Sequence, residues 1–271
     1  LSCLLVDSIW IFSHQLPPAW DQGDHLGTAF DINFIINHPH IFNSQWWAEL
    51  WSMTPSYRGP FTYILTAPIF MVFGESYKSA ILSNQLFNAL LLIATYLTGR
   101  LVHQRSYGLW AAFFCAISPA FLNQRTDYLI DLSLTSIITA TWFFISIWRF
   151  NKYLSTWISS ILGGLFIGLV ILTKPTGIIY LWIPISILLV EFIINLYNRR
   201  LNLIIQGLFL IFTPVLISFP WISQNWLTIL TSINKARRWG VLYQEGLEAN
   251  SFSGWLYYPS IIPKLIGVIV F

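Results

Sequence analysis

Two short stretches of this sequence gather the residue types that move protons or hold anions. The first, Pro17-Pro18-Ala19-Trp20-Asp21-Gln22-Gly23-Asp24-His25, sets two carboxylates and an imidazole directly after an apolar run. Its prolines and glycine predict a tight turn. A carboxylate held by that turn, Asp21 first and Asp24 as its alternate, can act as general base toward a hydroxyl nucleophile. The same residues also read as a solvated turn in which Asp21 caps the next helix. The second stretch runs from Ser118-Pro119 to Asp131 and holds Arg125, Asp127 and Asp131. Asp127 and Asp131 are four apart and share a face wherever the chain is helical. Asp131 opens a run that stays uncharged through Trp148. It reads either as a functional acid at the mouth of that run or as a helix N-terminal acid favoured by the dipole.

Cations beside helix breakers form the complementary set. Tyr57-Arg58-Gly59-Pro60-Phe61 precedes a short apolar stretch, and Thr173-Lys174-Pro175-Thr176-Gly177 divides two longer ones. An arginine fork or a lysine point charge at such a turn suits a phosphate at lipid-headgroup depth. Simple snorkelling of the cation to the interface is the ordinary alternative. Lys235, Arg237 and Arg238 add a third basic group. His25, His38 and His40 lack ligand spacing, and no metal is expected.

Composition says what must position these residues. Of 271 residues, 56% are apolar or aromatic and only 9% are charged, against about 25% charged in soluble domains. Mean hydropathy is +0.64. This excludes a soluble enzyme, a disordered tail and a coiled coil, and predicts an all-α, polytopic transmembrane bundle. A net charge of +3 from scattered cations argues against nucleic acid as partner. Cys3 and Cys115 read as small buried hydrophobes. Crossing helices need about 20 apolar residues; the candidates are 1–12, 81–101, 109–122, 132–148, 157–172, 178–196, 203–221 and one opening near Ile261. Phe61 to Phe73 is too short and reads as re-entrant or interfacial. The chain opens at Leu1 and stops at Phe271, each inside an apolar stretch, and so reads as one domain over 1–271 cut within its first and last helices.

Charge sets the orientation. Arg100 with Arg105, Arg149 with Lys152, and Arg199 with Arg200 mark three short loops without acids, which the positive-inside rule places in the cytoplasm. Nine of the 11 acids fall on the opposite side, and only Asp7 and Glu191 lie within spans. The chemistry is therefore expected on the outer face, which also carries the two longest connections, 13–79 and 222–260. Within the first, Leu26, Phe30, Phe34 and Asn37 line one stripe, and Trp46, Trp47, Leu50 and Trp51 another, as in helices lying in the interface plane. Trp10 and Trp20 extend the same aromatic belt. Gly164 and Gly168 predict a close helix contact.

The ordered set of motifs resembles a known family. It comprises the acid after the first span, the basic turn at Arg58, the Ser-Pro stretch leading to Asp131, then Gly168 to Gly177, then Pro220-Trp221-Ile222-Ser223-Gln224-Asn225-Trp226. Over nearly the whole chain this order resembles the membrane glycosyltransferases of the GT-C fold, notably the protein O-mannosyltransferase and aminoarabinose (lipid A) transferase groups of the glycosyltransferase family 39 type.

The resemblance implies a polyprenyl-phosphate-sugar donor and a protein, lipid or glycan acceptor. It also implies transfer on the outer face, without a cofactor, in a multi-pass protein of a bacterial plasma membrane. It places the family's first acid at Asp21 and its second at Asp131. Two departures stand out: Gln22 occupies the position of a second acid, which leaves Asp24 to substitute, and Arg58-Gly59-Pro60 replaces a Lys-Pro-Pro turn. The implied reaction is a single inverting displacement. Asp21 takes the acceptor proton, Asp131 orients, and Arg58, Arg125, Lys174, His25, Arg237 and Arg238 contact substrate. A flippase of lipid-linked substrates and a lipid-binding member without turnover are the competing readings. The first wants charges near the midplane, where only Asp7 and Glu191 qualify.

Overall fold

The computed structural model describes residues 2–13, 17–54, 57–150, 153–242 and 251–266, with positions 2, 20, 233–242, 254 and 258 described by backbone alone. Among the described residues all regular structure is helical. In order come α1 (Ser2–Ser13), α2 (Trp20–Asn37), α3 (Ser44–Ser52), α4 (Phe61–Phe73), α5 (Tyr77–Val102), α6 (Arg105–Ile117), α7 (Pro119–Thr126), α8 (Ile130–Phe150) and α9 (Thr156–Thr173). A 3-10 segment (Pro175–Leu181) then leads into α10 (Trp182–Tyr197), α11 (Leu201–Leu242) and α12 (Phe252–Ile266).

Among the described residues, five stretches are long and apolar enough to cross a membrane: Tyr77–Val102, Ile130–Phe150, Thr156–Thr173, Pro175–Tyr197 and Leu201–Ser232. The protein is an all-α, multi-pass membrane bundle. The expected span at 109–122 is not one helix. Pro119 has no amide hydrogen and drives Ser118 to extended angles (φ −62°, ψ 125°), so α6 stops there and α7 starts afresh. The last helix opens at Phe252 rather than near Ile261. Nor does the second connection begin as a loop at 222, because α11 runs unbroken through Pro214 and Pro220 to Leu242.

Two larger cores and a small one, Leu101 with Phe143 and Ile147, fill the bundle. Ile11, Ile32, Leu50, Tyr63, Phe70, Ile81, Tyr128 and Ile130 pack α1–α4 against the start of α5. Phe87, Leu132, Leu134, Ile137, Ile167, Val170 and Leu181 pack α5, α8, α9 and the 3-10 segment. Asp131 stands between Ile130 of the first core and Leu132 of the second. Helices α9 and α11 meet at Gly164, as the small-residue spacing predicts. A Cβ there would lie 2.8 Å from the Phe209 carbonyl oxygen, so only glycine permits that approach.

The first half of the expected α2 stripe faces inward, with Leu26 and Phe30 partly buried against the first core, and the second half does not. Phe34 is exposed and meets the His38 ring at a 41° tilt, while His25, Thr28, Ala29, Ile32 and Asn33 are buried. The buried face is broader than the expected stripe and centres on Ala29, Ile32 and Ile35, and its width brings His25 inside. α3 is held by indole hydrogen bonds from Trp46 to the Ile35 carbonyl (3.0 Å) and from Trp47 to the Ile41 carbonyl (2.9 Å). The Pro220-Trp221 motif anchors it from α11: Trp221 donates to Thr54 Oγ1 (3.2 Å), and the Asn225 amide donates to the Trp51 carbonyl (2.9 Å).

The three cation-bearing loops gather at one end. The Arg100 guanidinium lies 5.4 Å from the Tyr153 ring centroid, and Arg149 pairs with Glu191. The starts of α5 and α8 and the end of α9 define the opposite end, where α2 and α4 pack.

Candidate active site

That opposite end assembles a cluster of charge. α2 begins after Ala19, whose backbone is extended and whose amide donates to Gln22 Oε1 (3.0 Å). Gln22 Oε1 also accepts from the Tyr77 hydroxyl at 2.5 Å. Gln22 is thus spent on holding the helix start against α5 and is unavailable as a stand-in for an acid. Asp21 is not the cap. It sits exposed in the first turn of α2, and among the described residues no hydrogen bond or ion pair holds it.

One turn further on, Asp24 Oδ2 receives a 2.5 Å hydrogen bond from Arg58. The Arg58 side chain is only 9% exposed, while that of Asp24 is 55% exposed. Tyr57 lies beside the guanidinium at 4.9 Å.

The turn that presents Arg58 is keyed into the end of α9. The Gly59 amide donates to the Thr173 carbonyl at 2.9 Å, and a Cβ at Gly59 would fall 1.8 Å from the Leu172 carbonyl oxygen. No residue but glycine fits. Because the next residue along α9 is Lys174, this contact couples the two basic turns. The Lys174 ammonium in turn lies 3.5 Å from Asp131 Oδ1, with both side chains partly open (34% and 46% exposed). A 2.7 Å hydrogen bond between Thr62 and Ser133 ties α4 to the start of α8 and so fixes Asp131 relative to Arg58.

His25 sits between the two ion pairs. Only 5% exposed, it holds the Tyr63 hydroxyl at 2.6 Å through Nδ1. Its pKa is pushed down to about 4, first by burial and next by the Arg58 charge, with Lys174 adding a little. Asp24 and Asp131 oppose the shift without reversing it. At neutral pH the imidazole is uncharged and serves as a hydrogen-bonding support. Tyr63 was not marked by the sequence pattern. It lies inside an apolar stretch, and its only signal is the five-residue spacing from Arg58.

Of the nominated residues, the structure thus brings together Asp24, His25, Arg58, Asp131 and Lys174, with Asp21 one helical turn away. Arg125 belongs elsewhere. It is 3% exposed, its Nε lies 2.8 Å from Asp7 Oδ2 and its Nη2 lies 3.3 Å from Oδ1. Its Nη1 donates to the Ala116 carbonyl at 2.6 Å. Nη1 and Nη2 donate to internal acceptors and Nε makes an ion-pair contact only, so Arg125 locks α1 to α7 and is not placed to meet substrate. The expectation for it fails because Asp7, read as a lone acid within a span, is its counter-ion. The side chains of Arg237 and Arg238 lie outside the described residues. No group of three or more His, Cys, Asp or Glu converges among the described residues as a metal site would require.

A sequence-family model described as dolichyl-phosphate-mannose-protein mannosyltransferase matches residues 57–223. The chain belongs to that family. The region shared with the mannosyltransferase family includes Arg58, Asp131 and Lys174, while Asp21, Asp24 and His25 lie upstream of it. No curated protein sequence matches the chain.

Solved structures agree on the fold. ArnT from Cupriavidus metallidurans in the apo state superposes with a TM-score of 0.62 at 17% identity, over 98% of this chain and 47% of that one. ArnT bound to undecaprenyl phosphate gives 0.59 at 16% identity, over 97% and 49%. The archaeal oligosaccharyltransferase AglB from Archaeoglobus fulgidus, in complex with an inhibitory peptide and a dolichol-phosphate, gives 0.55 at 17% identity, over 99% and 37%. This mannosyltransferase-family chain therefore spans about half the length of ArnT and just over a third of AglB.

Proposed function

We propose that the chain forms the donor-binding and catalytic end of a membrane glycosyltransferase. The enzyme transfers a sugar from a polyprenyl-phosphate donor to an acceptor on the outer face of a bacterial plasma membrane. The observation that carries this reading is the pair of half-open ion pairs, Asp24–Arg58 and Asp131–Lys174, set side by side at the membrane edge of α8 and α9. An Arg fork and a Lys on two turns joined through the Gly59–Thr173 hydrogen bond suit a phosphate monoester leaving group.

In the proposed reaction the acceptor oxygen attacks the anomeric carbon while the bond from that carbon to the phosphate oxygen breaks, inverting the centre. The electron pair leaves with the lipid phosphate, whose growing charge Arg58 and Lys174 stabilise, and the acceptor proton passes to Asp21. Of the three candidate acids, Asp21 is the one that no described cation neutralises, which suits it to the base role. Asp131 orients the acceptor, and the acid displaced from Arg58 by the donor phosphate is Asp24. Removing one stabilising contact of this type lowers the rate by about 10²–10³.

The flippase reading loses its support, since Asp7 and Glu191, the charges it would employ, are each tied to an arginine. The test offers the intact protein labelled polyprenyl-phosphate sugars together with membrane extract, comparing wild type with Asp21→Asn, Asp24→Asn and Asp131→Asn. Transfer by wild type that is abolished in Asp21→Asn, at an unchanged melting temperature, supports the assignment. Full activity of Asp21→Asn moves the base to Asp24. Donor binding without transfer by wild type favours a lipid-binding member without turnover.

A further inference from the structure

The end of the bundle away from the charge cluster holds a second feature. Helices α10 and α11 diverge over α8 and α9 to leave an apolar groove with a cavity of about 200 Å³, floored by Trp148 and Ile167 and walled by Leu188, Phe192, Leu210 and Pro214. Adjoining it at Trp148, which lines both, is a polar mouth of about 240 Å³ lined by Arg149, Glu191, Asn195 and Arg200. Trp148 is held in place by its indole hydrogen bond to Gln206 Oε1 (3.0 Å). The Arg200 amide donates to the Asn195 carbonyl (2.9 Å), which fixes the arginine at the rim.

We propose that this groove binds one anionic phospholipid of the leaflet that the cationic loops face. Three observations point to that occupant. Glu191 neutralises Arg149, so Arg200 leaves the mouth with one net positive charge. The groove has the length of a single leaflet: from Leu203 to Pro214 along α11, eleven steps of ~1.5 Å give about 16 Å. That is half of a hydrocarbon core of about 30 Å, whereas a transmembrane helix from a protein partner would need the whole core. Finally, the cations lie at the ends of the spans Ile130–Phe150 and Leu201–Ser232, the depth at which a phosphate sits, with the apolar walls continuing inward. Gly207 keeps the groove open, because a Cβ there would lie 2.8 Å from the Phe192 ring. The site is independent of the transfer chemistry and holds whether or not the glycosyltransferase reading does.

The test is native mass spectrometry of the intact protein in mild detergent. It is supplied in turn with dioleoyl phosphatidylglycerol, dioleoyl phosphatidylcholine, and glycerol phosphate, which lacks a tail. Wild type is expected to retain phosphatidylglycerol about fivefold better than phosphatidylcholine, the preference one arginine confers near a charged headgroup. Arg200→Gln, an exposed change that leaves the fold intact, is expected to erase that preference. Gly207→Leu is expected to reduce retention of both lipids by filling the groove. Equal retention of the two lipids by wild type overturns the proposal, as does a preference that survives Arg200→Gln. Glycerol phosphate binding as tightly as the lipid would make the mouth a phosphate site and overturn the lipid assignment. Silence of both substitutions would mean that another element fills the groove.

Discussion

Arg58 and Arg125 are both buried, and each pairs with an aspartate, yet they do opposite things. The difference lies with the acid. Asp7 is 6% exposed and closes the Arg125 pair on every side, whereas Asp24 is 55% exposed and leaves one edge of the Arg58 pair open to solvent. An incoming anion can replace Asp24 on Arg58. Nothing can replace Asp7 on Arg125 without taking the structure apart. Within one chain, then, the exposure of the carboxylate separates a lock from a site, while arginine burial alone distinguishes nothing.

The largest effect should come from breaking the lock. Arg125→Met strands Asp7 in an apolar interior, and uncompensated buried charges of this kind cost about 3–5 kcal/mol. Thermal unfolding in detergent should show a large fall in melting temperature, and the double change Asp7→Leu with Arg125→Met should recover most of it. No recovery would mean that the pair is not what holds α1 to α7. The matching change at the site should behave in reverse. Arg58→Gln is expected to lower sugar transfer by about 10²–10³. In stability it should remain well above Arg125→Met, because Asp24, once unpaired, is solvated. Equal losses of stability in the two variants would erase the distinction.

The sequence exposes one half of this comparison better than the other. The five long spans follow from length and apolar composition, because a bilayer requires about 20 apolar residues to be crossed. The charges of Asp24, Asp131, Arg58 and Lys174 stand out from apolar surroundings. Arg125 stands out equally and misleads, because its partner Asp7 lies 118 positions away in another helix and only packing brings them together. The inward turn of His25 was hidden for a related reason. It sits beside the Leu26 and Phe30 stripe, which itself packs on the core, so the apolar periodicity marks one edge of the buried face and not the polar residue next to it. The break at Ser118-Pro119 was written in the proline, but the apolar run across it masked the signal.

His25 provides the next test, through pH. Its folded pKa of about 4 lies below the ordinary 6.5, so between these values the unfolded chain binds a proton that the folded one does not. Stability linked to this group is therefore complete above about pH 6.5 and declines as pH falls toward 4, by on the order of 3 kcal/mol in total. Melting temperature measured across that window should fall more steeply for wild type than for His25→Gln, which carries no titrating group. Parallel curves would show that His25 does not sit in the desolvated position between the two ion pairs.

The smallest stability effect is expected at Lys174, and its smallness is what sharpens the comparison. The Lys174–Asp131 pair is long at 3.5 Å and open on both sides, and exposed pairs contribute about 0–1 kcal/mol. Lys174→Met should therefore leave the melting temperature nearly unchanged. If the pair is kept for binding and not for folding, the same change should weaken capture of the donor phosphate, which would appear as a raised KM for the polyprenyl-phosphate sugar. The contrast with Arg125→Met is then complete: a large loss of stability where the acid is sealed, and a loss confined to substrate handling where it is open. A variant with normal donor KM and normal stability would remove Lys174 from the site and leave Arg58 as its sole described cation. A variant that melts early would place Asp131–Lys174 with the locks, and the open edge of the cluster would then be Asp24 alone.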